Sequence, residues 1–142
     1  MELIKFSGAE IIKFSPMKDK HIPKNSDFIY FGSGYPELYA EELSQNLSMK
    51  KSIRKTYEKG VEIYGECGGF IYLTKRLRFP DRKKEEFCGL INVEISMKDR
   101  LNINRFGYIN IETETGIKTK GHEFHYSEIF TDNEINEKKA HF

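Results

Sequence analysis

Apolar and polar positions along this chain repeat with either strand or helix period, and the switches between them mark its elements. Met1 to Ser7 is a short mixed run that reads as the last turns of a helix, with Gly8 just beyond its end. Ala9-Glu10-Ile11-Ile12-Lys13-Phe14 reads as a strand closed by Ser15-Pro16, and Lys18 to Ser26 as a polar connection. Asp27-Phe28-Ile29-Tyr30-Phe31 is nearly all apolar, which predicts a strand covered on both faces. Pro36 suits the first turn of a helix. Tyr39, Leu43 and Leu47 recur every fourth residue, as do Met49, Ile53 and Tyr57, so a second helix or a kinked continuation is predicted to about Lys59, where Gly60 stops it. Val61 to Tyr64 is a further strand, Phe70 to Leu77 a helix, and Arg78 to Glu86 a polar loop. Gly89 to Ile95 is mostly apolar, and Phe106 to Thr113 alternates with Ile109, Ile111 and Thr113 on one face, which predicts an antiparallel extension. The strand–helix–strand–helix order of the first half predicts a mostly parallel sheet flanked by helices.

Two stretches carry candidate chemistry at the ends of predicted strands. Gly65-Glu66-Cys67-Gly68-Gly69 joins a strand to a helix through a Gly-flanked turn with a cysteine at its tip. That is the pattern of the nucleophile elbow, with Cys in place of Ser. The residue after such a nucleophile presents its N–H at the helix start, where it can stabilise an oxyanion, and the helix dipole favours a thiolate. On this stretch alone, a small buried cysteine beside an ordinary turn is an equally open reading. Gly32-Ser33-Gly34-Tyr35-Pro36-Glu37 follows the other strand. It reads either as a simple turn before a helix or as a loop of exposed N–H groups facing a ligand.

Composition narrows the field. The chain has 142 residues, 38% apolar and 32% charged, with a formal net charge of +1. One domain with a real core fits that length. The charge balance gives no preference for nucleic acid or for an anionic membrane. No apolar run approaches the ~20 residues of a membrane span, and the N-terminus lacks a secretory pattern. Cys67 and Cys88 show no metal-ligand spacing, and a reduced, cytoplasmic setting is the expectation. Gly121-His122-Glu123-Phe124-His125-Tyr126-Ser127 is the third informative stretch. As a strand it places His122, Phe124 and Tyr126 on one face and Glu123, His125 and Ser127 on the other. His125, with the Glu123 carboxylate two residues before it, is a candidate base for a thiol. Partly exposed structural histidines are the alternative.

Taken in order, DFIYFGSGYPEL (27–38), ECGGFIYL (66–73) and GHEFHYS (121–127) resemble the class I glutamine amidotransferase domain of cobyrinate a,c-diamide synthases. GAEIIKFSP (8–16), the helix end at Glu42 to Asn46, Gly89-Leu90 and Gly107-Tyr108 extend the resemblance over almost the whole chain. The resemblance implies a flavodoxin-like three-layer α/β fold. It implies that Cys67 attacks the side-chain amide of glutamine, that His125 shuttles the proton, and that the backbone at Gly34 and Gly68 forms the oxyanion hole. Glu123 is the candidate orienting carboxylate of a Cys–His dyad, although other class I glutaminases carry a His-x-Glu order. Cys88 and His122 keep structural readings. In the complete enzymes the ammonia amidates the a and c carboxylates of a corrin precursor, activated by ATP and Mg²⁺ on an N-terminal domain.

The chain departs from that pattern. It contains no G-x-x-x-x-G-K-[ST], so ATP and Mg²⁺ are expected on a separate N-terminal domain or partner chain. Relative to the family, the first strand is expected to be missing, and residues 131–142 are expected to fray. A single, partial domain over 1–142 follows, with marginal stability alone and a need for a partner. Alternatives within the resemblance are a nickel-sirohydrochlorin a,c-diamide synthase, a glutaminase subunit paired with a Mur-ligase-like partner, or a non-catalytic remnant. A thiol-based redox protein is a different class, which peroxide-dependent cycling would reveal.

Overall fold

The computed structural model describes residues 2–81, 83–98, 107–112, 115–123 and 127–130. Helix α1, Glu2–Phe6, ends as the sequence predicts: Gly8 takes φ +89° and its N–H donates to the Lys5 carbonyl at 3.0 Å. Ala9 to Phe14 is irregular rather than a strand, with no ladder partner among the described residues. Its Phe14 ring instead packs edge-on against Phe31 at 5.5 Å. An apolar run becomes a strand only where a neighbour takes up its backbone groups.

Strand β1, Phe28–Phe31, pairs parallel with β2, Glu62–Gly65, in the register Phe28↔Glu62 to Phe31↔Gly65. The expectation that β1 is covered on both faces is corrected. Ile29 and Phe31 are 2% and 6% exposed, whereas Phe28 and Tyr30 are 54% and 39% exposed, so one face is core and the other meets solvent.

The crossover from β1 to β2 runs through a 3-10 turn at Pro36–Tyr39, α2 at Ala40–Gln45 and α3 at Leu47–Glu58. The break falls at Asn46. Its side-chain oxygen accepts from the Met49 N–H at 3.2 Å, capping α3. Its amide nitrogen donates to the carbonyls of Pro16 at 2.7 Å and Asp19 at 2.8 Å, tying down the incoming chain. Because the axis resets there, the Tyr39-Leu43-Leu47 repeat does not make one buried face, and only Leu43 of the three is buried. Met49 and Ile53 in α3 are fully buried, and Gly60 at φ +84° ends the helix. Each such aliphatic side chain contributes about 1.5–3 kcal/mol by leaving water.

Helix α4 spans Gly68–Leu73, and Thr74–Arg78 forms β3. The predicted helix to Leu77 therefore stops one turn early. Leu77 lies four residues after Leu73, as a helical face requires, but its backbone is claimed on both sides by strands. β4, Lys84–Glu86, pairs antiparallel with β3 from within the predicted polar loop, and β5, Ile91–Met97, pairs parallel with β3. β8, Ser127–Phe130, adds antiparallel to β5, giving the order β4-β3-β5-β8. β6, Gly107–Glu112, and β7, Lys118–Glu123, form an antiparallel pair. The run 121–127, read as one strand, covers the end of β7 and the first residue of β8, with 124–126 outside the described residues. Thr113 and the segment 131–142, expected to fray, also lie outside them.

The architecture is α/β with parallel pairs at the core and antiparallel strands added in the C-terminal half, but Gly89 to Ile95, expected in the antiparallel extension, instead supplies β5, which lies parallel to β3. The core joins the β1–β2 pair to the four-stranded sheet through an aromatic chain: Phe31 packs on Tyr72 at 5.9 Å and Tyr72 on Phe87 at 5.5 Å. Leu77, Ile95, Met49 and Ile53 fill the space around it. Helix α3 is fastened to the second sheet by cations. Lys50 Nζ donates to the Glu86 carbonyl at 2.9 Å, and the Arg54 guanidinium donates to the carbonyls of Cys88 and Gly89 at 3.0 and 3.3 Å. No helix among the described residues is long and apolar enough to cross a membrane.

Candidate active site

Cys67 is placed by the end of β2 and the start of α4. The strand is held to β1 up to Gly65, and the Glu66 N–H donates to the Phe31 carbonyl at 2.9 Å, so the ladder is fixed to the residue before the cysteine. The Gly69 N–H then donates back to the Glu66 carbonyl at 2.9 Å, closing a tight turn around Cys67. At that turn Cys67 takes φ +50°, ψ −113°, and its thiol is free and exposed. A backbone in that region costs a residue with a Cβ about 1–3 kcal/mol, and such strain gathers at functional positions.

Two glycines after the cysteine are required by close approach. A Cβ on Gly69 would overlap the carbonyl of Phe31, and one on Gly68 would overlap the carbonyl of Gly34 and sit 2.8 Å from Pro36 Cδ. The Gly32–Pro36 loop therefore lies directly on the first residue of α4. That brings together three of the residues singled out in the sequence, namely Cys67, Gly68 and Gly34. Neither the Gly34 nor the Gly68 N–H donates to another described residue.

The remaining sequence expectations stand apart from this cluster. His125 lies outside the described residues. Glu123 is the last residue of β7, opposite Gly107. His122 is exposed on the same strand, its ring edge-on to Tyr108 at 5.5 Å. Cys88 is buried, and desolvation pushes its thiol up to about 12 despite nearby Tyr72, Lys50 and Arg54. A thiol held neutral in this way is a packing group. Among the described residues no group of three or more His, Cys, Asp or Glu side chains is arranged to hold a metal ion.

A polar network beside Cys67 was not read from the sequence. The Glu66 carboxylate accepts from the Tyr30 hydroxyl at 2.6 Å and from the Ser33 hydroxyl at 3.3 Å. The Tyr30 ring stacks on Tyr64 across the β1–β2 pair, at 5.8 Å and 8° between planes. The hydrogen bond to Glu66, then desolvation and the negative charge of Glu66, raise the Tyr30 phenol above its ordinary value. The available signal is the register: Tyr30 is opposite Tyr64, and Glu66 follows Tyr64 by two residues.

A model of the CobB/CobQ-like glutamine amidotransferase domain matches residues 1–140. The chain belongs to this glutamine amidotransferase family. Within it, the chain is 46% identical over 130 residues to a cobyrinate a,c-diamide synthase of Fusobacterium nucleatum, covering 91% of this chain and 29% of that protein. It is 42% identical over 134 residues to the synthase of the same name from Listeria innocua, covering 89% of this chain and 29% of the relative. With that of Caldanaerobacter subterraneus it shares 38% over 136 residues, 91% of this chain and 30% of the relative. The chain thus spans under a third of the length of these relatives. A solved structure described as a glutamine amidotransferase superposes with a TM-score of 0.63 at 17% identity, over 87% of this chain and 62% of its own, which shows the shared fold.

Proposed function

We propose that this amidotransferase domain is the glutamine-hydrolysing portion of a tetrapyrrole a,c-diamide synthase, with cobyrinate as the tetrapyrrole. The observation that carries the reading is the exposed Cys67 at a strained, Gly-flanked tip, with the Gly34 loop packed on Gly68. His125 takes the Cys67 proton, and the thiolate attacks the γ-amide carbon of glutamine, forming a C–S bond. The carbonyl oxygen becomes an oxyanion that accepts from the N–H groups at Gly68 and Gly34. Collapse breaks the C–N bond, His125 returns its proton to the leaving nitrogen, and ammonia departs from a glutamyl thioester. Water, deprotonated by His125, then releases glutamate and restores the thiol. Glu123 is the candidate to orient His125.

The names of the relatives, with a family match over 1–140, support the synthase assignment. Ammonia then passes to the a and c carboxylates of cobyrinate. ATP and Mg²⁺ do not fit this chain, which lacks a phosphate-binding Gly-Lys loop. Their chemistry belongs to a further domain or partner chain, acting in the cytoplasm. Glutamate release from glutamine by the purified chain, alone and with a candidate ATP-binding partner, tests the reading. Cys67→Ala is expected to lower the rate on the order of a thousandfold or more. A rate unchanged by that substitution removes the nucleophile assignment.

A further inference from the structure

We propose that Glu66 is a positioning residue for this reaction: its carboxylate clamps the Ser33–Gly34 loop against the Cys67 turn. The inference rests on the glutaminase reading above and adds a residue which that reading does not use. Two pieces of chain distant in sequence meet at Glu66. Tyr30 comes from β1, Ser33 from the loop after it, and Glu66 itself from the joint between β2 and the cysteine turn. The Glu66 backbone is already fixed by the Phe31 carbonyl, so its carboxylate extends from a rigid point. The Ser33 side chain hangs on a loop that is otherwise exposed from Ser33 to Tyr35. The bond from Ser33 to Glu66 holds that loop one residue before Gly34, whose carbonyl abuts Gly68.

The chemistry calls for a carboxylate here. Both donors are hydroxyls, and an ionised carboxylate accepts from both without a donor of its own to satisfy. A glutamine at 66 has one acceptor oxygen and an NH₂, so one hydroxyl must turn from donor to acceptor, and both exchange a charge-assisted bond for a weaker neutral one. The Tyr30–Tyr64 stack fixes the phenol side of the clamp, leaving Ser33 as the side that moves. An oxyanion donor displaced by an ångström loses most of its effect on the transition state while substrate binding is barely touched.

The test compares wild-type chain with Glu66→Gln, Tyr30→Phe and Ser33→Ala by three readouts. These are glutamine hydrolysis, the rate of Cys67 alkylation by iodoacetamide, and amide hydrogen exchange at residues 32–35. Glu66→Gln is expected to lower kcat about tenfold or more, with KM within about threefold. Alkylation, which needs no oxyanion donor, is expected to stay within about twofold, and exchange at 32–35 to rise. Ser33→Ala is expected to lower kcat less, and to add nothing on top of Glu66→Gln. Unchanged kcat or unchanged loop exchange in an active chain overturns this inference alone. So does a fall in kcat matched by an equal fall in alkylation in all three variants. A wild-type chain that is alkylated at Cys67 yet hydrolyses no glutamine, either alone or with an ATP-binding partner, overturns the glutaminase reading, and this inference with it.

Discussion

The carbonyl oxygen of Gly34 lies so close to the Cα of Gly68 that a methyl group does not fit between them, although 34 and 68 belong to different crossover ends of the sheet. The contact is asymmetric. A Cβ on Gly68 meets the Gly34 backbone and Pro36, while a Cβ on Gly34 meets nothing within 4 Å, at a backbone angle any residue adopts. Gly68→Ala is therefore expected to cost about 1–3 kcal/mol in urea unfolding and to abolish glutamine hydrolysis. Gly34→Ala is expected to unfold within about 0.5 kcal/mol of wild type.

The strain at Cys67 has a signature separable from chemistry. Alanine at 67 keeps a Cβ at φ +50°, and glycine does not. Both variants lose the thiol, yet Cys67→Gly is expected to be more stable than Cys67→Ala by about 1 kcal/mol. Paired denaturant melts read the difference directly. Equal stabilities would mean that the turn is relaxed in solution.

The two cysteines are expected to divide cleanly in labelling. At pH 8 iodoacetamide should modify the exposed Cys67 in the folded chain and leave Cys88 untouched until unfolding, as peptide mapping would show. Burial raises the Cys88 thiol from 9.0 to about 12, so the folded state holds a proton that the unfolded chain has released between those values. That contribution to stability is full below about 9 and is lost as pH rises toward about 12. Cys88→Ala should flatten the alkaline arm of the stability–pH curve.

Glu94 contributes to the acid arm. It is 7% exposed and contacts three cations: Arg76 at 3.3 Å, Lys75 at 3.9 Å and Arg78, whose guanidinium also lies 4.4 Å over the Phe130 ring. Burial works to raise the carboxyl, but the hydrogen bond from Arg78 and the charges of Arg76, Arg78 and Lys75 outweigh it and hold the group below its ordinary value. A depressed carboxylate stabilises fully above its unfolded pKa and loses that contribution as pH falls through the folded one. Glu94→Gln is expected to cost about 2 kcal/mol near neutrality and to converge with wild type as pH falls through the lowered carboxyl value. Thermal melts across that range check both halves.

The sequence made the cysteine turn legible because its glycines and its chemistry sit within five consecutive residues. It made the parallel β1–β2 pair legible because a strand period gives way to a helix period and returns. Half-exposure of β1 was not legible: Phe28 and Tyr30 look as apolar as Ile29 and Phe31, and only the neighbours decide which face is covered. The end of α4 was misplaced because Leu73 and Leu77 satisfy helical spacing while the partners that capture Leu77, Glu85 and Ile95, lie in later strands. The Glu66 network spans 36 residues to Tyr30 and 33 to Ser33, beyond the reach of any local pattern.

Helix α4 passes into β3 with no residue between Leu73 and Thr74, whereas β3 reaches β4 through a turn closed by the Phe79 N–H on the Lys83 carbonyl. Tolerance to length change should divide accordingly. A residue gained or lost in that turn leaves both neighbouring ladders in step. A single insertion after Leu73 rotates every downstream β3 side chain to the opposite face, sending Leu77 into water and Arg76 and Arg78 into the hydrocarbon interior.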